Sequence, residues 1–392
     1  MKLLSRRRLH LYEERQGRFY PLFGLVALIL LAGFAVWHLA LPDAAYSDTE
    51  KRALAARPAL TVDSLTSGEF MDGMEDYVAD QFPLRSSFMK LKTGLTLLFG
   101  DRESQGVSYA RDGRLIQLFE PYSADQQQKT ADAVAAFVQA HEFRHAQFLL
   151  VPTAVSLYPE LLPPYTETED ELAWREDFLE SLPDAMLKPD IPEVFAGMKE
   201  AGEEVFYRTD HHWTTDAAFA VFSDAAPAAD WTVSSFTSGT VCTDFEGSLV
   251  RKSGFTPRRS DAITVYLHDD PDLSCLIIHS STGTSSGTYY VPSALDGREK
   301  YEVFLGGNEP LITIQTTADT NDTLLVFKDS YANCFLPFLF ESYKTITVVD
   351  PRYYTDSVES LFAQTAYTDV LFLYNVQTLA ADESLAIVLE GE

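Results

Sequence analysis

The hydrophobic pattern is least ambiguous near the start of the chain. Phe19 to Leu41 reads as one apolar run of 23 residues with no Asp, Glu, Lys or Arg. As a helix it would be about 34 Å long, enough to cross a hydrocarbon core of roughly 30 Å. Tyr20 and Trp37 stand near its ends, where amphipathic rings favour a membrane interface. A cleaved signal peptide has a shorter apolar region, about 7–15 residues, so the run predicts a transmembrane anchor over 19–41.

Beyond it the pattern changes from continuous to periodic. Phe70, Met74, Tyr77 and Val78 fall at near-helical spacing, and Pro83 interrupts them. Residues 42–105 read as a juxtamembrane helical region. From about Gly106 helix and strand alternate. Tyr122 to His141 reads as a helix with Ser123 as N-cap, Gln147 to Val151 as a buried strand, and 167–200 as acidic helix. Glu203 to Tyr207 reads as a strand feeding a helix from Thr215 to Phe222. Residues 230–320 are rich in Thr, Ser and Gly with short alternating runs such as Ala262 to Leu267 and Leu311 to Ile314, and read as a β-rich insertion. Three strands close the chain: Leu324 to Phe327, Thr345 to Val349 and Val370 to Tyr374. Helical connections separate them and each ends in a polar cluster. That pattern predicts an α/β fold for 106–392, with a parallel sheet and a site at the C-terminal ends of its strands.

Charge sets the expected orientation. Residues 1–18 hold six basic residues (Lys2, Arg6, Arg7, Arg8, Arg15, Arg18) against Glu13 and Glu14. Basic flanks stay cytoplasmic, so the tail should lie inside and the bulk outside. The whole chain carries −28, which leaves −32 on the outer part. Such a surface repels nucleic acid and anionic headgroups and suits a neutral substrate. Three cysteines, Cys242, Cys275 and Cys334, allow one internal disulfide at most. Cys242–Cys275 is the conceivable pair, and three buried thiols are the alternative.

Two segments concentrate reactive side chains. In Thr209-Asp210-His211-His212-Trp213-Thr214, an Asp two residues before a His can orient one ring nitrogen and leave the other to accept a proton. In Lys328-Asp329-Ser330-Tyr331-Ala332-Asn333, Ser330 follows an apolar strand at the start of a helix. There free backbone N–H groups could stabilise an oxyanion. Alone, Asp210-His211-His212 could equally be metal ligands or a satisfied loop network, and Ser330 a helix cap. Together they supply a nucleophile, a base and an orienter. Asn375 and Arg352 end neighbouring strands, so both should share the rim of Ser330. Asn375 is a candidate oxyanion donor, with a turn residue as the alternative; Arg352 could instead pair with the acidic surface. Trp213 joins them as a candidate substrate contact.

At these residues the sequence resembles a known group. TDHHW at 209–213, LLVFKDSYANCFLPFL at 324–339, VVDPRYY at 348–354 and LFLYN at 371–375 look like the bacterial DHHW protein family. That family is related to the SGNH-like acetyltransferases of alginate O-acetylation. The likeness runs over about 45–390 and includes SDTEKRALAARP at 47–58, DQFPLR at 80–85, VPTAVSLYPELLP at 151–163 and FLGGNEPL at 304–311. It implies an SGNH-hydrolase-like sheet flanked by helices. It also implies roles: Asp210 as orienter, His212 as base, Ser330 as nucleophile, and Asn375 in the place of the SGNH Asn. Lys328 stands where the family's relatives have Gly before Asp-Ser, so a side chain there would narrow the entrance or touch substrate.

The resulting expectation is a single-pass bacterial membrane protein whose outer domain handles acyl esters of a cell-envelope or exported polysaccharide, as transferase or esterase. Its partners would be the polysaccharide or another acylated small substrate, the lipid bilayer through the N-terminal helix, and an acyl-donor membrane protein, with no nucleic acid. Neither a cofactor nor a metal is required: Gly306-Gly307 lacks the spacing of a phosphate loop. Two alternatives stand beside it. One is a non-catalytic glycan-binding or scaffold protein, suggested by the Ser/Thr-rich stretch 230–320. The other is a metal phosphoesterase, which would need further Asp or His ligands around paired ions.

Overall fold

The computed structural model describes residues 6–47, 52–121, 123–363 and 365–391. The tip of the basic tail, residues 48–51 of the segment 47–58, and Tyr122 at the start of a predicted helix lie outside it. The chain forms two compact units, 1–95 and 96–392.

In the first unit a long helix, α1 (Arg6–Ala40), contains the apolar run. Tyr20–His38 has a mean hydropathy of 2.1 and none of it is buried by protein. A short helix, Val62–Ser67, and two longer ones follow, α2 (Glu69–Asp80) and α3 (Arg85–Leu98). Pro83 lies in the break between them, where its fixed φ and missing N–H stop a helix. α2 turns Tyr77 inward, and its hydroxyl donates to Asp43 at 2.7 Å.

The second unit is built on one seven-stranded sheet. Its strands are β1 (His145–Val151), β2 (Cys275–His279), β3 (Thr284–Ser286), β4 (Leu311–Thr316), β5 (Thr323–Lys328), β6 (Thr345–Val349) and β7 (Asp369–Asn375). The order is β3-β2-β4-β6-β5-β7-β1. Four adjacent strands, β6, β5, β7 and β1, are parallel. The other three are antiparallel additions at one side. The sheet is therefore mixed, and half of the stretch expected as a separate β-rich insertion extends it. β4 has the alternating pattern of a one-sided strand, whereas β5 and β7 are apolar along Leu324–Phe327 and Val370–Tyr374 because both faces are covered. The rest of that stretch, Phe236–Phe245 and Asp261–His268, pairs as an antiparallel ribbon.

Helices α4 (Ala124–Ala140), α5 (Glu171–Glu180), α6 (Ile191–Glu200) and α7 (Thr215–Ala229) surround the sheet. Phe148, Phe372 and Phe327 are register partners on three neighbouring strands and form a stacked row, with centroids 5.4 and 5.3 Å apart. α4 lays Phe137 edge-on against Phe327, and α5 lays Phe178 against Phe148. Glu203 to Tyr207 does not form a strand of the sheet; only a single bridge joins Phe206 to Trp213. All three thiols are free, so the Cys242–Cys275 pairing is not formed.

Glu171 is buried at the start of α5, where Thr153 donates to it through its N–H (2.9 Å) and its hydroxyl (3.2 Å). Burial pushes this carboxyl up from 4.5 to about 7, against the pull of its bonds from Ser156 and Thr153. The folded state then binds a proton that the unfolded chain has lost. Its contribution to stability is complete below about pH 4.5, falls as pH rises, and is gone above about pH 7, a swing on the order of 3 kcal/mol. Glu171→Gln keeps an acceptor and a donor for Thr153 without the titration. Melting of the variant should therefore lose less between pH 5 and pH 8 than melting of the native chain. Parallel pH profiles in differential scanning calorimetry would contradict this assignment.

Candidate active site

The Asp210 loop is held from several directions before any chemistry is considered. Thr214 caps α7 by accepting from Ala217 N at 3.1 Å. The backbone bonds Tyr207 N to His212 O and Thr214 N to Val205 O close a tight loop between them. Asp261, from the neighbouring ribbon, accepts from the N–H groups of Arg208 and Thr209, both at 2.8 Å. Asp210 is buried and accepts three hydrogen bonds, from His212 Nδ1 (2.5 Å), His212 N (3.0 Å) and Ser248 N (2.6 Å), with His211 Nδ1 3.5 Å away. Burial alone would raise this carboxyl, but the imidazoles of His212 and His211 and the bond from Ser248 hold it well below the usual carboxylate range. Gly247 is required here because a Cβ would lie 2.2 Å from Asp210 Cβ.

The His212 ring is clamped on both faces. Tyr301 stacks on it at 3.7 Å and 11°, and His211 lies 3.9 Å away on a tilted plane. With Nδ1 tied to Asp210, the remaining nitrogen Nε2 reaches Ser330 Oγ at 2.7 Å. Asp210, His212 and Ser330 thus form one continuous hydrogen-bonded line across 120 positions of chain. Ser330 is half-buried just past the end of β5, in the middle of the parallel strands. His211 is half-buried beside it, with Nδ1 on Ser248 Oγ at 2.7 Å. Burial and the neighbouring His212 lower its affinity for a proton, so it is neutral at physiological pH.

The segment after Ser330 is not an α-helix but two short 3₁₀ turns, Ser330–Cys334 and Leu336–Leu339, with Pro337 starting the second. Tyr331 N is taken by Asp329 Oδ1 at 2.8 Å, so the run of free helical N–H groups expected there does not exist. The Ser330 N–H has no acceptor among the described residues.

Three expected site residues are occupied elsewhere. Asn375 is buried and caps the turn that follows β7. Its Nδ2 donates to Asp329 (2.6 Å) and Thr378 (2.7 Å), so neither amide hydrogen is left for an oxyanion. Trp213 is wholly buried, donates to Tyr331 O at 3.0 Å and stacks on Tyr331 and Phe335; it cannot touch substrate. Arg352 makes a two-pronged pair with Asp350 at 2.8 and 2.7 Å. Lys328 is fully buried and neither narrows the entrance nor touches substrate. Its Nζ donates to Asn308 Oδ1 (2.8 Å) and Asn333 Oδ1 (2.9 Å), with Asp350 at 3.4 Å. Burial lowers the Lys328 ammonium, and Asp350 opposes that shift. Asn308 Oδ1 also accepts from Asn333 Nδ2 at 3.2 Å, so its oxygen faces inward. Its Nδ2 has no partner among the described residues.

Asp210, His211 and His212 offer ligand atoms within 4.8 Å of one another. The carboxylate oxygen and His212 Nδ1, however, bond each other directly. A Zn²⁺ ion about 2.0–2.2 Å from each of these ligands would have to break that bond.

Comparison with known proteins gives the same grouping. Residues 190–349 match the DHHW protein family, and residues 117–250 match the SGNH hydrolase-like domain of acetyltransferase AlgX. Over that stretch the chain is similar to the DHHW family. A DHHW protein from Eubacterium siraeum superposes with a TM-score of 0.61 at 21% identity, over 73% of this chain and 95% of that one. Bacillus cereus PatB1, solved with a sulfonyl adduct, gives 0.58 at 21%, over 71% and 96%. Both share the fold of this chain. The probable alginate O-acetylase AlgJ of Pseudomonas fluorescens is 26% identical over 162 residues, 40% of this chain and 41% of that protein's length. The DHHW match spans both Asp210–Trp213 and Ser330, and the AlgX match covers only the first.

Tyr301, Asn308 and Gly247-Ser248 were not singled out as site residues from sequence. The GGN turn at 306–308 was visible as part of a shared motif, but nothing in the linear pattern ties it to Lys328.

If Trp213 is a packing residue, Trp213→Ala should cost about 3–5 kcal/mol in urea unfolding, and Trp213→Phe markedly less. A Trp213→Phe protein with native stability but altered substrate KM would return Trp213 to the binding surface.

Proposed function

We propose that this chain is a membrane-anchored O-acyltransferase, of the acetyl-transferring kind, working outside the membrane on a cell-envelope or exported polysaccharide. The observation that carries the chemistry is the line from Asp210 through His212 to Ser330. Ser330 Oγ attacks an ester carbonyl as its proton passes to His212 Nε2. The new Oγ–C bond forms a tetrahedral intermediate. Collapse expels the donor alcohol, which takes the proton back from His212. An acceptor hydroxyl then loses its proton to His212, attacks the acyl-Ser330, and releases the serine with its proton restored. With water as acceptor the same steps make an esterase. The oxyanion donors in this reading are the Ser330 N–H and the Asn308 amide, in place of Asn375.

The polysaccharide acceptor is inferred from the alginate O-acetylase relative. The anchor is inferred from the Tyr20–His38 run, and the orientation from the basic tail. An acyl-donor membrane protein would supply the ester.

Ser330→Ala should lower hydrolysis of p-nitrophenyl acetate by more than about 100-fold. It should also remove the mass gain expected when the native protein meets phenylmethylsulfonyl fluoride. Unchanged rates would take Ser330 out of the reaction and favour glycan binding without catalysis.

Lys328 is a positioning residue in this scheme, acting through Asn308. Asn308→Ala should cost about 10²-fold in kcat, as loss of one oxyanion donor does. Lys328→Met should lower kcat by about tenfold or more with KM little changed, and should add little in the Asn308→Ala background. Additive losses would mean that Lys328 acts elsewhere.

A further inference from the structure

The first unit carries an apolar surface that the proposed function does not use. The break between α2 and α3 is fixed against the C-terminal end of the apolar run in α1. His38 Nδ1 meets Gln81 O at 3.1 Å, and its ring lies edge-on to Tyr77 at 5.6 Å. Phe34 stacks on Phe82 at 5.8 Å and meets Phe88 at 6.0 Å. Phe34 is four residues before His38, so its ring sits about 6 Å below the end of the run. Phe82 and Phe88 are therefore level with residues inside the apolar segment, not beyond it.

From that corner Phe88, Leu91 and Leu95 recur at spacings of three and four. That puts them on one stripe of α3, and all three are exposed. The charges of α3 are Lys90, Lys92 and Arg85, the last paired with Asp80 of α2 at 2.9 Å, with no acid among its 14 residues. α2 by contrast holds Glu69, Asp72, Glu75, Asp76 and Asp80. A net charge of −28 over the chain does not decide the local interaction, because screening confines charge effects to about 8–10 Å. An apolar stripe with only basic charges, tied to the end of an apolar span, fits the boundary between acyl chains and anionic headgroups.

We propose that α3 is a second membrane contact: an interfacial helix whose Phe88–Leu91–Leu95 stripe dips into the outer leaflet of an anionic bilayer. This rests on reading α1 as a transmembrane anchor. It adds that the juxtamembrane segment is bound to lipid and is not a free spacer.

The test uses the full chain in liposomes of phosphatidylethanolamine and phosphatidylglycerol, with the photocrosslinker p-benzoylphenylalanine at one position at a time. Leu31→p-benzoylphenylalanine reports the span, and Tyr165→p-benzoylphenylalanine reports an exposed position of the second unit. Lipid adducts are read by mass spectrometry. Leu91 and Leu95 should give adducts within about threefold of Leu31, and Tyr165 about tenfold fewer or none. Adducts at Leu31 with none at Leu91 or Leu95 would overturn the inference and leave the anchor standing. No adduct at Leu31 either would overturn both.

Discussion

A carboxylate taken out of water must be matched by donors, and the arrangement around Asp210 follows from that requirement. Its two oxygens are met by an imidazole, two backbone N–H groups and a second imidazole at longer range. Satisfying them fixes the His212 tautomer, presses Gly247-Ser248 against the loop, and leaves one ring nitrogen to face Ser330. A neutral side chain at 210 would remove the reason for the loop's shape as well as the ring's orientation.

The strand rim provides the other half. Ser330 sits where the central strand of the parallel group ends, and Asp329 next to it is turned inward. Asp329 accepts from Tyr331 N, Asn375 N and Asn375 Nδ2, which ties the serine turn to the adjacent strand. Lys328, one residue earlier, ties it to the 306–308 turn. Consecutive residues therefore have separate tasks: Lys328 and Asp329 hold the frame, and Ser330 turns its hydroxyl to His212.

Much of this was legible in the sequence because local pattern and final position agree. The apolar runs at 147–151, 324–327, 345–349 and 370–374 became the four parallel strands within two residues. Asp-x-His and Asp-Ser are short-range signals whose side chains met as expected. What the sequence could not show was set by burial and partner choice. Asn375 sits on the rim, but Asp329 captures its amide; Trp213 is in the motif, but its ring fills the core. Glu203 to Tyr207 has strand-like composition, yet the edge of the parallel sheet at β1 is met by Leu187 instead. Lys328, standing where relatives have Gly, suggests an entrance residue, and lysines are seldom fully buried. Only three-dimensional proximity of two asparagines and Asp350 makes burial tolerable.

The stacking of Tyr301 and His211 on the two faces of His212 has a kinetic consequence. A ring held between two others cannot rotate to carry a proton from one place to another. In an acyl-serine cycle the same nitrogen would serve both half-reactions from one position. The departing alcohol and the arriving one would then have to use a single berth in turn. Such an enzyme follows a ping-pong order, and each alcohol competes with the other for the vacated place.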